Sequence, residues 1–263
     1  LEKGTNKELA SPKDSSGKYG QVVQENAINI PGYTVDAATK TGTIRIENPA
    51  DVAKLNIITF YYTEQTVTIN YEVVGPTADC GTVTPASETV KVITGTPTGS
   101  VAAKANDNFR FVGWFKDKDC TQPVDGNWVD ANNKLTPGKS KNYGTEAAPV
   151  MGYEAATYYA KFEYDITDLT ITKTYNNMLD PNQSAVFTVT GDGTSIDVVI
   201  HGNGRVVIKG LKVGTTYTVT EKTGWTWRYG KNSENIKLEA TGNNEVEFTN
   251  ELTNNKWLTG GAW

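Results

Sequence analysis

Period-two alternation dominates this chain, and near its end it puts three polar side chains where a core should be. Residues 169–173 read Leu-Thr-Ile-Thr-Lys, 217–221 read Tyr-Thr-Val-Thr-Glu, and 246–250 read Val-Glu-Phe-Thr-Asn. Successive side chains of a strand point to opposite faces. Lys173 therefore shares a face with Leu169 and Ile171, Glu221 with Tyr217 and Val219, and Asn250 with Val246 and Phe248. A lone buried charge is costly, so three such residues in one small β-domain point to a shared site.

A lysine amine, a carboxamide and a carboxyl group in contact are the reactants and catalyst of an intramolecular amide bond. Attack on the Asn250 side-chain carbonyl needs a neutral amine. Apolar surroundings disfavour charge, lowering a lysine pKa and raising that of a glutamic acid. A protonated Glu221 can then polarise the carboxamide and carry the proton from the attacking nitrogen to the departing ammonia. Alternation alone also fits a plainer arrangement, in which Lys173 snorkels into solvent from a strand end while Glu221 and Asn250 flank loops.

At 263 residues the chain suits two or three modules, and its six Trp, 13 Tyr and seven Phe can fill several modest cores. Thr, Val, Gly and Asn are abundant while helical periodicity is absent, which predicts an all-β chain, or β with one short helix per module. The net charge of −5 is spread without basic clusters, so nucleic acid is not an expected partner. No apolar run approaches a membrane span. The start at Leu1 without a signal-like segment reads as a piece of a longer protein. Two cysteines and one histidine leave little material for disulfide scaffolds, zinc sites or the usual triads. No metal or other cofactor is expected.

Three segments and a tail emerge. Residues 1–64 contain Gly17-Lys18-Tyr19-Gly20, Ile30-Pro31-Gly32-Tyr33, Thr41-Gly42-Thr43-Ile44 and a closing aromatic strand over 56–62. This order resembles a mucin-binding-protein (MucBP) repeat, a small β-grasp-like module of bacterial surface proteins. Such repeats usually begin with a strand that would precede Leu1, so this one reads as partial. Residues 65–165 include Thr66–Tyr71, Gly81–Pro85, Phe109–Phe115 with its Gly-Trp-aromatic core, and the closing Tyr-Ala-Lys-Phe of 159–162. They resemble an internalin-type B-repeat, also β-grasp-like. Within them, Asp125–Met151 reads as a long surface loop.

Residues 166–252 are strands separated by Gly/Asn turns, with a hairpin signalled at Gly202-Asn203-Gly204 between 196–200 and 205–208. Ile171–Thr174, Gly210–Glu221 and Phe248–Asn250 give Ile-Thr-Lys-Thr, Gly-Leu-Lys-Val-Gly-Thr-Thr-Tyr-Thr-Val-Thr-Glu and Phe-Thr-Asn. In that order they resemble a Cna B-type pilin domain. The resemblance implies an immunoglobulin-like or transthyretin-like β-sandwich, with Lys173 and Asn250 as the cross-linked pair and Glu221 as the catalytic carboxyl group. Residues 253–263 read as a tail or linker.

Other motifs have plainer readings. Trp225, Trp227 and Tyr229 alternate on one face and either stack sugars or cover a sheet, the second being preferred. Trp114 reads as core, and Trp257 and Trp263 as packing on a neighbouring segment. Cys80 and Cys120 either form a disulfide or remain two small thiols; spacing does not decide. His201 reads as a turn residue. Asp117 and Asp119 are flanked by lysines, which argues against calcium, and Asp192 in Gly191-Asp192-Gly193 is a turn signal.

Together these features suggest a non-enzymatic stalk or adhesin region of a Gram-positive-type surface or pilin-like protein. It would be extracellular, wall-attached in its full length, monomeric in isolation, and locked by one self-formed amide bond. The alternative is a carbohydrate- or mucin-binding module, with a host glycan or matrix protein as partner, or an ancillary region of a secreted glycosidase. No pair of carboxylates across a cleft is marked for glycoside hydrolysis.

Overall fold

The computed structural model describes residues 1–45, 56–176, 183–222, 233–239 and 241–251. Among these, strands carry the fold, and the only helical element is a 3-10 turn at Gly126–Trp128. No helix among the described residues is long and apolar enough to cross a membrane.

Four strands open the chain: β1 (Val22–Asn26), β2 (Tyr33–Val35), β3 (Thr39–Thr43) and β4 (Tyr62–Glu64). β1 pairs with β3 and β2 with β4, both antiparallel. Residues 57–61, expected as a strand, form no ladder. Their backbone is satisfied elsewhere: Lys40 Nζ donates to the Thr59 carbonyl at 2.7 Å, the N-terminal amine to that of Phe60 at 2.9 Å, and the Tyr61 N–H donates to Asp36 at 3.2 Å.

The next strands are β5 (Thr66–Val74), β6 (Gly81–Thr84), β7 (Ser87–Lys91), β8 (Ser100–Lys104) and β9 (Phe109–Phe115). β10 (Lys134–Leu135), β11 (Lys141–Asn142), β12 (Met151–Gly152) and β13 (Ala156–Tyr164) follow. Hydrogen bonding gives the orders β7-β5-β13-β9, β10-β8-β6 and β11-β12. The Asp125–Met151 stretch is therefore more ordered than the expected loop. Leu135 is fully buried, and Trp114 Nε1 donates to the Asn133 carbonyl at 2.8 Å, so the excursion closes over the core.

The last strands are β14 (Ile166–Asn176), β15 (Ser184–Gly191), β16 (Thr194–His201), β17 (Gly204–Lys212), β18 (Thr216–Glu221), β19 (Ser233–Lys237) and β20 (Glu245–Glu251). They form two sheets, β17-β14-β20 and β16-β15-β18-β19. One apolar cluster, including Leu169, Ile171, Phe187, Val219 and Phe248, lies at their core. The tight hairpin is β15–β16, turning at Asp192 and Gly193 with φ of +49° and +70°. Two left-handed residues in succession make a type I′ turn, for which Asp-Gly is suited. The hairpin expected at Gly202-Asn203-Gly204 is instead a crossover. β16 pairs with β15 and β17 with β14, so Ile200 and Ile208 enter one core from opposite sheets.

By packing, the chain forms two compact units. The first comprises Leu1–Glu72, Val83–Val101 and Trp114–Tyr159; the second, Val73–Thr82, Ala102–Gly113 and everything from Ala160 onward. In the second, the 106–108 turn joins the sandwich: the Asp165 N–H donates to the Asn108 carbonyl at 2.8 Å and the Val213 N–H to that of Asp165 at 3.0 Å. Gly214 suits that place, because its φ of +77° is one that side-chain-bearing residues rarely adopt, and a Cβ would also press on the Asn108 side chain.

The first unit has an aromatic core, with Tyr71 edge-on to Trp114 at 5.8 Å and stacked on Tyr158 at 6.3 Å. Two carboxylates pin the ends of its 93–99 segment. Glu64 accepts the N–H groups of Ile93 and Thr94 at 2.6 and 2.7 Å, and Glu88 accepts those of Thr98 and Gly99 at 2.6 and 3.0 Å. Burial pushes both acids up, but these hydrogen bonds and the hydroxyls of Thr94, Tyr71 and Thr98 outweigh it and hold both below the ordinary value of 4.5. A depressed folded pKa stabilises above the unfolded value and is lost as pH falls through the folded one. The melting temperature of the first unit should thus be steady near neutrality and fall as the pH drops below the ordinary value of 4.5. A flat profile across that range in calorimetry would contradict the clamp.

Candidate functional site

Lys173, Glu221 and Asn250 meet in the core of the sandwich. Each occupies the buried face that alternation assigned to it, with 1%, 3% and 2% of its surface exposed. In the parallel β14–β20 ladder Lys173 lies opposite Phe248, and Tyr175 opposite Asn250. Lys173 and Asn250 are thus diagonal neighbours on one face, within reach of a long side chain. Glu221 arrives from the other sheet, where it is opposite Phe187 in the β15–β18 ladder.

Lys173 Nζ donates to Glu221 Oε2 at 2.8 Å, and Asn250 Nδ2 donates to Glu221 Oε1 at 3.3 Å. The carboxyl group therefore bridges the amine and the carboxamide. Among the described residues, Asn250 Oδ1 is buried without a hydrogen-bond partner. An amide's O and N are assigned from the hydrogen-bond network. Rotating the Asn250 amide places its oxygen against Glu221, where a protonated acid would donate to it.

Aromatic rings enclose the group. Lys173 Nζ lies 4.8 Å from the Tyr175 ring centre and 6.0 Å from that of Phe187, and Phe187 packs on Phe248 at 5.0 Å. Burial pushes the Lys173 amine below its ordinary range, and the Glu221 hydrogen bond and charge recover only part of that. In such surroundings proton transfer from ammonium to carboxylate removes both charges and yields the neutral nucleophile. Of the groups around Lys173, Tyr175 was legible as the next inward residue after Leu169, Ile171 and Lys173. Phe187 carried no such signal, because its strand is brought alongside only by the sandwich.

Cys80 and Cys120 do not form a disulfide. Cys80 is buried and packed against Gly75, whereas Cys120 is in a turn at φ +53° with its Sγ toward the Lys118 carbonyl at 3.6 Å. Asp117 spends its carboxylate on Thr121 and Gln122, including the Gln122 N–H at 2.7 Å. Among the described residues, no three or more His, Cys, Asp or Glu side chains gather as a metal site. His201 ends β16, with its Nδ1 2.7 Å from the Ser184 hydroxyl. Trp225, Trp227 and Tyr229, and the tail with Trp257 and Trp263, lie outside the described residues.

Residues 150–252 match a family described as a domain of unknown function, DUF7601. That span contains all three members of the buried group. No curated protein matches the chain by sequence. Solved structures similar to it include the Bacillus anthracis TIE protein, at 16% identity and a TM-score of 0.34 over 81% of this chain. The chain spans 36% of that protein's length. Two others are a C-terminal fragment of the pilus adhesin SpaC from Lactobacillus rhamnosus GG and the major pilin T-13 from Streptococcus pyogenes. Each is 11% identical over 72% of this chain, with TM-scores of 0.37 and 0.33, and the match covers 98% and 97% of those chains.

Proposed function

We propose that this chain is a load-bearing stalk or adhesin segment of a bacterial surface protein, its C-terminal sandwich closed by an amide between Lys173 and Asn250. The observation that carries the reading is the buried bridge, Lys173 Nζ to Glu221 at 2.8 Å and Asn250 Nδ2 to the same carboxyl group at 3.3 Å. Proton transfer to Glu221 frees the amine, which attacks Cγ of Asn250. The tetrahedral intermediate collapses as the C–N bond to the amide nitrogen breaks; Glu221 gives its proton to the departing nitrogen and takes up the second proton that the lysine nitrogen sheds as it becomes an amide. One amide forms and one ammonia leaves; nothing turns over, so the chain is not an enzyme in the ordinary sense.

Placement supports the mechanical role. The bond would join β14 and β20, the first and last strands of the sandwich and neighbours in one sheet. Tension entering at one and leaving at the other would pass through the amide and bypass the strands between. An amide is also indifferent to redox state, which suits a chain with two cysteines that form no disulfide. The resemblances to Cna B-type, internalin-type and MucBP modules support an extracellular, wall-attached parent.

The test is intact mass. The purified chain should weigh one ammonia less than its sequence, and a tryptic digest should yield a branched peptide joining the segments around Lys173 and Asn250. Full sequence mass in the folded protein would remove the cross-link.

A further inference from the structure

Resting on that reading, we propose that Asn203 is a positioning residue for the amide-forming reaction. The β14–β17 ladder ends at Lys173, opposite Gly204, while the β14–β20 ladder runs on to Asn176. Beyond Lys173, therefore, the reactive strand has lost its antiparallel neighbour on one side. The Asn203 side chain takes that place, with its Oδ1 accepting the Tyr175 N–H at 2.7 Å.

Tyr175 is the residue through which such a cap would act. Its ring is 4.8 Å from the Lys173 amine, and its backbone lies opposite Asn250. One hydrogen bond to Asn203 Oδ1 thus fixes a residue adjacent to both nucleophile and electrophile. Asn203 is itself held in place, because it follows Gly202, whose φ is +60° and whose N–H donates to the Gln183 carbonyl at 2.7 Å. Its side chain is on the exposed crossover and not in the core, so truncating it opens no cavity.

The experiment follows ammonia loss in time. Wild type, Asn203→Ala and Asn203→Asp are made by cell-free synthesis, quenched in denaturant at intervals and weighed intact. Asn203→Ala should reach the same final mass on the order of tenfold more slowly, the equivalent of about one hydrogen bond in the barrier. Asn203→Asp keeps the acceptor oxygen and should recover most of the rate. Folding is followed by circular dichroism in the Lys173→Ala background, where no amide can form. The inference requires that Asn203→Ala delay ammonia loss more than it delays folding. Equal delays, a wild-type rate in Asn203→Ala, or no rescue by Asp would each overturn it. A wild type that never loses ammonia is a separate result, which overturns the cross-link itself.

Discussion

Lys173→Ala is expected to restore the full sequence mass and to lower the melting temperature of the β-sandwich by about 20 °C or more. The amide would close a loop of 77 residues between Lys173 and Asn250. In the chain-entropy model used for disulfides, a closure of that length is worth roughly 4.5 kcal/mol. For a domain of this size each kcal/mol moves the midpoint by about 4–8 °C. Asn250→Ala should lose the same bond by its other end. The double variant should therefore be far less destabilised than the sum of the two singles, since a single covalent link can be removed only once. Calorimetry on the four proteins checks this. Additive losses, or a Lys173→Ala midpoint within a few degrees of wild type, would mean that the two side chains share no bond.

The residues of this site were legible because a strand's period is short and rigid. Once Leu169, Ile171, Tyr217, Val219, Val246 and Phe248 must face a core, Lys173, Glu221 and Asn250 lie on the same faces, and the order of the three motifs favours their meeting over a lysine that snorkels outward. Which strands pair is a different matter, since alternation says which face is buried and not against what. Gly202-Asn203-Gly204 carries strong turn chemistry, yet the chain uses it to change sheets, because Ile200 and Ile208 each complete an opposite side of the same core. Asp192-Gly193, only two residues long, makes the real hairpin. The 125–151 stretch looked like loop because its burial rests on single residues, Leu135 above all, with no periodic run to announce them. Asn203 escaped for a similar reason. Its partner is a backbone N–H exposed by the end of one ladder, and ladder ends are properties of the assembled sheet.

Glu221→Gln separates chemistry from proximity. Glutamine has nearly the size of glutamic acid and keeps hydrogen-bonding groups in the same place, so the apolar face of β18 is unchanged and the sandwich should fold. If Glu221 only filled space between Lys173 and Asn250, ammonia would still be lost. The bridge argues otherwise, since one carboxyl group touches both reactants at 2.8 and 3.3 Å. A carboxylate can take the proton from the ammonium, donate it toward the carbonyl as the acid, and return it to the departing nitrogen; an amide side chain can do none of these. In Glu221→Gln the buried lysine also loses its counter-charge, which lowers its pKa further and favours the neutral amine. Failure to react would then report the missing proton relay and not a missing nucleophile. The folded variant should therefore run at full sequence mass, with trypsin resistance and melting temperature close to those of Lys173→Ala. Ammonia loss in Glu221→Gln at the wild-type rate would take Glu221 out of the mechanism and leave the Lys173–Asn250 pair to react by proximity alone.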